Sequence, residues 1–290
     1  MTDSENIIEI RPVFSLDYRR ARNLLDGASL LAGAQEDCGP IGGLGVMGYV
    51  FSGFVNLHTL RVRSDKEAEA RTLLDAHGIV AFTETAAVPE LEAGIVTVAQ
   101  ANGFAGLTSN MVMFGWPGED AAGMGRMLGI VRRMAGLEKS SMIVKPVKGS
   151  RARGNGDVVI WWKGRESNGD MMLLLAHLMT QADGWRHARL VLKSIVKDAA
   201  EGDALRARFE SMLPDLRMDV HLEVLEKPPE QGVAEIIKQA SMAADLVFLG
   251  LGSPEPSEEA AYAGRLLDLV DGLPTTILLK NASRFQGRLV

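Results

Sequence analysis

Short apolar runs rich in β-branched residues alternate along this chain with longer runs whose apolar residues recur every three or four positions. The first pattern is typical of strands buried on both faces of a sheet, and the second of helices that cover such a sheet. Their alternation predicts βα units and a parallel sheet. Strands are predicted at residues 46–52, 78–85, 109–115, 139–145, 157–163, 188–196, 217–225, 244–250 and 274–280. Helices are predicted at residues 65–77, 89–102, 119–135, 202–213, 231–241 and 257–270.

An internal repeat divides the chain into two similar parts. Gly115 and Lys145, each at the end of a predicted strand, stand 30 positions apart, and Gly250 and Lys280 have the same spacing. A single offset of 135 therefore relates both pairs, and the apolar segments before them align at that offset. The repeat predicts an α/β fold made of two tandem parallel-sheet units, each with a sheet of its own.

The boundary between the units is predicted from a change in composition. Residues 146–156 are rich in glycine and basic residues and carry no apolar periodicity, which is typical of a linker. Residues 1–145 would then form a first α/β subdomain with an N-terminal extension, and residues 157–290 a second. A chain of 290 residues is long enough for two domains of ordinary size.

Composition and charge narrow the range of partners. The formal net charge of −6 argues against nucleic acid, which basic proteins bind. The single cysteine, Cys38, cannot form an intramolecular disulfide, and this fits a reducing compartment. No apolar run approaches the roughly twenty residues that cross a bilayer, and the acidic N-terminus lacks the plan of a signal peptide. These residues alone are therefore predicted to be soluble.

Catalytic motifs are absent from the sequence. Residues 43–48 spell G-x-G-x-x-G, but the motif leads into a predicted strand rather than a helix, so a flexible strand entry is favoured over a dinucleotide site. No two of the five histidines have the i, i+4 spacing of a metal pair, and there is no G-x-S-x-G elbow. We expect no catalytic residues, no cofactor and no metal site, and hence no enzyme.

Tryptophans mark the ends of predicted strands. Trp161 and Trp162 are adjacent on one strand and must point to opposite faces, so both faces of that sheet should be covered. Trp116 follows the third predicted strand, where it would either fill the core or stand at the mouth of a ligand crevice.

The same strand ends define a candidate nucleotide site in the first unit. Its predicted residues are Ser52, Gly53, Thr83 and Gly115, because glycines at strand ends let a ligand approach the backbone. In the second unit the acidic stretch Glu255–Glu259 would repel phosphates.

The most apolar stretch of the chain, Met171–Met179, has two interpretations. It either packs between the sheet and its neighbours or forms a self-association surface. On the second interpretation Met171, Met172 and Leu175 are candidate interface residues of a weak two-fold homodimer.

Two stretches resemble a known family. Gly106–Pro117 reads GLTSNMVMFGWP, and Gly154–Ile195 begins GNGDVVIWWKGRESNGDMMLLLAHLM. Both resemble segments of the cytosolic C-terminal domain of cation–chloride cotransporters, in the family's order and spacing. The resemblance is continuous from about Gly45 to Leu225 and weaker beyond.

This resemblance implies a non-catalytic regulatory and dimerisation domain on the cytoplasmic side of the cell membrane. It would be attached to the transmembrane domain of the same transporter, which carries chloride with sodium and/or potassium and would lie outside these 290 residues. The resemblance also implies two universal-stress-protein-like (flavodoxin-like) subdomains. Some members bind adenine nucleotide in the first subdomain, so ATP or ADP is a candidate ligand, although the G-x-x-G-x9-G-[ST] phosphate loop is missing. The alternative is a free-standing tandem universal-stress-type nucleotide-binding protein.

Overall fold

The fold is taken from a computed structural model that describes residues 13–15, 45–52, 57–76, 81–101, 103–104, 107–147, 156–162, 167–180, 184–216 and 218–282. The strands in these ranges are β1 (Val13–Ser15), β2 (Gly45–Ser52), β3 (Ala81–Val88), β4 (Gly103–Phe104), β5 (Leu107–Thr108), β6 (Met111–Gly115), β7 (Ser140–Lys145), β8 (Asp157–Trp161), β9 (Arg189–Val196), β10 (Val220–Glu226), β11 (Ala244–Gly250) and β12 (Thr275–Lys280). The helices are α1 (Leu57–Ala76), α2 (Leu91–Ala101), α3 (Ala121–Gly136), α4 (Ser167–Thr180), α5 (Ala199–Leu216), α6 (Val233–Ser241) and α7 (Glu259–Val270).

Ten of these strands form one sheet in the order β10-β9-β8-β11-β12-β7-β6-β1-β2-β3. Every neighbouring pair is parallel except β7 and β12, which are antiparallel. On each side of that pair the five strands follow the order 3-2-1-4-5, counted from the outer edge inward. The prediction of an α/β fold made of two like parallel units is confirmed.

The prediction of two separate sheets is wrong. The fifth strands of the two units pair directly, with Ser141 opposite Lys280 and Lys145 opposite Thr276. A strand left at the edge of a unit would expose a row of unpaired backbone groups, and this pairing satisfies them. Across the junction the Lys145 Nζ donates a hydrogen bond to the Val270 carbonyl at 2.9 Å.

The strand ends on which the repeat was based are confirmed. Gly115 and Gly250 end β6 and β11, and Lys145 and Lys280 end β7 and β12. The 135-residue offset also relates the two sides of the junction, since Ser141 and Lys145 differ by that number from Thr276 and Lys280. Of the predicted linker, residues 148–155 lie outside the described ranges.

The first strand of the first unit was missed by the pattern analysis. β1 (Val13–Ser15) lies between β2 and β6, which is the place that β8 has in the second unit. The strand predicted at 46–52 is therefore the second of its unit. Three residues are too few to show a periodicity, so the sequence pattern could not indicate this strand.

Two apolar clusters cover the two faces of the sheet. Trp161 belongs to the cluster that includes α3 and α7, and Trp162 to the cluster that includes α4. Both rings are buried, so the prediction that the adjacent tryptophans need cover on both faces is confirmed. The large aromatic surfaces thereby fasten a helix layer to each face at the end of β8.

Candidate functional site

The second unit has a crevice beyond the carboxyl ends of β8, β9 and β11. From β8 the chain goes through α4 to β9 on one side, whereas β11 pairs with β8 on the other. In open parallel sheets ligands bind where the strand order reverses in this way. A cavity of about 560 Å³ lies at this position. Its apolar wall includes Trp161, Trp162, Ile237, Leu249, Leu266 and Leu269.

Asn168, in the first turn of α4, ties the floor of this crevice together. Its Nδ2 donates to the Leu251 carbonyl at 2.9 Å, and its Oδ1 accepts from the Asn281 N–H at 2.8 Å. The side chain is buried, and it links the ends of β11 and β12 to a helix more than eighty residues away in sequence. A buried amide with both ends bonded has a structural role that needs no ligand.

Close packing holds the tryptophans of the crevice. A Cβ on Gly169 would stand 2.3 Å from Trp162 Cδ1, so the indole lies directly on the helix backbone. Arg208 lies over the ring of Trp162, with its guanidinium carbon 5.8 Å from the ring centroid. On the opposite face of the sheet, Trp161 Nε1 donates to Ser241 Oγ at 3.0 Å.

Positive side chains surround the opening of the cavity. Lys197 follows β9, Lys227 follows β10, and Arg265 projects from α7. Sequence analysis missed these residues and Asn168. The signal available to find them was their place: each lysine comes immediately after a strand, where the carboxyl ends of parallel strands meet.

Of the four residues predicted for the first unit, Thr83 and Gly115 are fully described, and the structure does not bring these two together. Gly53 lies outside the described residues, and of Ser52 only the backbone, at the end of β2, is described. Thr83 lies near the start of β3, three strands away from Gly115, and its Oγ1 accepts from Arg71 Nε at 3.2 Å. The carboxyl end of β3 is Val88 rather than Thr85, which explains the misplacement of Thr83.

Trp116, the other candidate of the first unit, fills the core. Its ring is buried, and Nε1 donates to Glu119 Oε1 at 3.1 Å. Lys145 Nζ lies 5.6 Å from the ring centroid. Of the two interpretations, the structure supports packing, because the indole is covered by its own loop and by the junction strand.

The proposed contact surface of α4 is corrected by the structure. Met171, Met172 and Leu175 are 3%, 2% and 1% exposed and belong to the cluster between α4 and the sheet. A side chain that the monomer already buries has no surface to offer to a second copy. The alternative interpretation, that this run is packed against the sheet, is the right one.

Two titratable groups of α4 are shifted by burial. Desolvation raises the pKa of Asp170, and the nearby Arg208 opposes that shift. Desolvation also lowers the pKa of His177, because burial disfavours the imidazolium. Both shifts favour the neutral form of the side chain.

Two features of metal-binding and membrane proteins are absent from the residues that the structure describes. Among those residues no three histidine, cysteine or acidic side chains are grouped in a way that could hold a metal ion. None of the helices there combines the length and the apolar character needed to cross a bilayer.

Comparison with known proteins shows the fold. No protein-family model matches the chain. The structure is similar to the cytoplasmic domain of a prokaryotic cation chloride cotransporter, with a TM-score of 0.62, 14% identity, and coverage of 95% of this chain and 98% of that one. It is also similar to a universal stress protein from Archaeoglobus fulgidus DSM 4304, with a TM-score of 0.60, 15% identity, and coverage of 93% and 96%. The universal-stress-protein-like, flavodoxin-like α/β class is thus confirmed along nearly the whole chain.

Proposed function

We propose that this chain is the cytosolic regulatory and dimerisation domain of a cation–chloride cotransporter, and that it has no catalytic activity of its own. In this proposal the chain lies on the cytoplasmic side of the membrane, joined to the transmembrane part of the same transporter. That part carries chloride together with sodium and/or potassium, and this chain modulates it.

The observation that carries the proposal is the contact between Trp162 and Gly169. Both residues belong to the stretch Gly154–Ile195 that resembles cotransporters, and the ring lies where a Cβ on the glycine would be 2.3 Å away. The motif is therefore the packing seam between β8 and α4. The structural similarity to the cotransporter domain over 95% of this chain adds support.

The state of the strand ends supports a regulatory rather than a catalytic role. The polar groups at the floor of the crevice are bonded within the protein, as Asn168 is to Leu251 and Asn281. Reactive groups in enzymes are usually left with unsatisfied or strongly perturbed chemistry in a pocket. Dimerisation in this proposal rests on the resemblance, since Met171, Met172 and Leu175 are core residues.

The size and location of the native product test this proposal. An antibody raised against residues 156–282 is applied to membrane and soluble fractions of the source cells. We expect a membrane-bound band far larger than 31.3 kDa that resists carbonate extraction, with about twelve hydrophobic segments encoded in frame upstream. A soluble band of 31.3 kDa alone would contradict the proposal and favour the free-standing stress-type protein.

Transport measurements then test regulation. Chloride-dependent rubidium uptake is measured in cells that make the full product and in cells whose product carries Gly169→Ala. We expect uptake to fall in proportion to the loss of folded domain, because a misfolded regulatory domain uncouples from the transporter. Unchanged uptake with a demonstrably unfolded domain would contradict the regulatory role.

A further inference from the structure

The cavity of the second unit differs in charge from the chain as a whole. The protein has a formal net charge of −6, but among the described residues the charged ones that line the cavity are Lys197, Lys227, Arg265 and Glu201. In the described part of the lining, three positive residues thus accompany one negative residue in an acidic protein. A local excess of this kind raises the concentration of anions at the site.

The positive groups come from three separate elements that the sheet brings together. Lys227 N–H donates to the Val196 carbonyl at 2.9 Å, so Lys227 and Lys197 leave neighbouring strands at the same level. Arg265 approaches from α7, where its guanidinium carbon lies 5.8 Å from the ring centroid of Tyr262. A ligand at the opening would therefore meet cations from both the strand and the helix side.

Glu201, the acidic residue of the described lining, accepts a hydrogen bond from the backbone. Glu201 Oε2 accepts from the Lys197 N–H at 2.8 Å, and Asp198 Oδ1 accepts from the Glu201 N–H at 2.9 Å. Asp198 thus caps the start of α5, and Glu201 reaches back to the residue before the cap, which places its carboxylate where the helix N-terminus stabilises it. Glu201 is thereby fixed in a structural role and does not bridge the three cations.

The interior wall of the cavity is mainly apolar. Its apolar wall includes Ile237, Leu249 and Leu266, and three of its polar groups are engaged within the protein. Asn168 is bonded at both ends, Trp161 Nε1 donates to Ser241, and the Gly252 N–H donates to the Tyr262 hydroxyl at 2.8 Å. A volume of about 560 Å³ lies within the range of small-molecule sites.

We propose that this cavity binds a small organic carboxylate with an apolar body, the body between the tryptophans and α7 and the carboxylate among Lys197, Lys227 and Arg265. A nucleotide fits less well, because the wall around its base would be mainly apolar and the Asn168 amide there is already bonded at both ends. This inference does not depend on the attachment of the chain to a transporter.

Fluorescence titration tests the site with defined probes. 8-Anilinonaphthalene-1-sulfonate, an apolar anion, is added to the folded chain, and decanoate, decanol and ATP are each added as competitors. We expect saturable binding of one probe per chain that decanoate reverses. Decanol, which lacks the charge, should compete at least roughly tenfold more weakly.

Matched variants test whether decanoate binds in this cavity. Lys227→Gln and Arg265→Gln should each weaken decanoate binding several-fold, and Leu269→Trp should reduce it by narrowing the cavity. Lys238→Gln, a half-buried lysine of α6 that does not line the cavity, is the control and should leave binding unchanged. Melting curves confirm that each variant is folded.

Three outcomes would overturn the proposal. Displacement of the probe by ATP but not by decanoate would make this a nucleotide site. Equal effects of Lys227→Gln and Lys238→Gln would move binding elsewhere. The absence of saturable probe binding to a folded chain would show that the cavity takes no apolar anion.

Discussion

The loops that follow β6 and β11 occupy equivalent places in the two units but are held in different ways. After β6 the chain is held locally: Trp116 bonds Glu119, three residues on, and Asp120 accepts from the N–H groups of Ala122 and Gly123 at the start of α3. Between them Gly118 has a φ of +102°, a backbone conformation that side chains other than glycine rarely adopt.

After β11 the chain is held from a distance. Asn168, more than eighty residues earlier, binds the Leu251 carbonyl, and Tyr262 binds the Gly252 N–H. The first residue before α7, Glu258, makes no capping hydrogen bond with its side chain. One strand order is therefore kept while the loop after the fourth strand is held by local residues in one unit and by residues remote in sequence in the other.

The largest expected effect concerns the apolar cluster that packs between α4 and the sheet. Met172→Asp should lower the free energy of unfolding by more than ~3 kcal/mol, because it removes a buried side chain and places a carboxylate in an apolar cluster. Met242→Asp is the control, since Met242 is 75% exposed and should tolerate the charge. Urea unfolding measures both. A Met172→Asp chain as stable as the parent would show that α4 is not a core helix.

The next effect concerns the seam between β8 and α4. Gly169→Ala should destabilise the chain by about 1–3 kcal/mol, because the new methyl group would overlap the Trp162 ring. Gly125→Ala in α3 meets no atom within 4 Å and should stabilise by up to about 1 kcal/mol, as alanine favours helix. Thermal unfolding of the two variants measures both changes in stability. If both changes stabilised, the Trp162 contact would be too loose to hold the second unit.

A smaller effect on stability should distinguish the N-terminus of α3 from the N-terminus of α7. Asp120→Ala should cost about 1 kcal/mol, since it leaves the Ala122 and Gly123 N–H groups without their partner. Glu258→Ala at the equivalent start of α7 should change stability by less than half of that, because no capping bond is lost. Denaturant midpoints compare the two. Equal losses would mean that the local and remote modes of support do not differ.

The smallest effect depends on pH. The pKa of His177 is lowered in the folded chain, so the unfolded chain binds more protons as pH falls through 6.5, and stability should fall with it. The raised pKa of Asp170 acts in the opposite direction, with stability lost as pH rises above its usual range. His177→Gln in an Asp170→Asn background should therefore flatten the dependence between pH 5 and 8 that the Asp170→Asn chain shows. Identical slopes would assign the dependence to other groups.

The sequence predicted most of the fold because buried parallel strands are continuous apolar runs. β6, β7, β11 and β12 were located to within one or two residues from Gly115, Lys145, Gly250 and Lys280 and the apolar segments before them. The helix α1 begins at Leu57 rather than 65, because its first two turns carry charged residues among the apolar ones and show little periodicity.

The junction and the cavity could not be predicted in the same way. Pairing between β7 and β12 depends on two edges that are far apart in sequence, and nothing in either strand's pattern distinguishes an edge that pairs from one that is free. Lys197, Lys227 and Arg265 resemble ordinary surface residues, and only the topology brings them to one opening. The apolar run of α4 fitted both a core and a contact surface, since hydrophobicity alone does not say which partner buries it.

The antiparallel join between β7 and β12 also determines which way each unit points. Strand direction reverses at that join, so the carboxyl ends of the first unit's strands and those of the second lie at opposite margins of the ten-stranded sheet. A partner that approaches either margin therefore meets the carboxyl ends of one unit's strands and the amino ends of the other unit's strands. The molecule has two distinct poles built from one repeated motif, and partners bound at the two poles need not compete for the same surface.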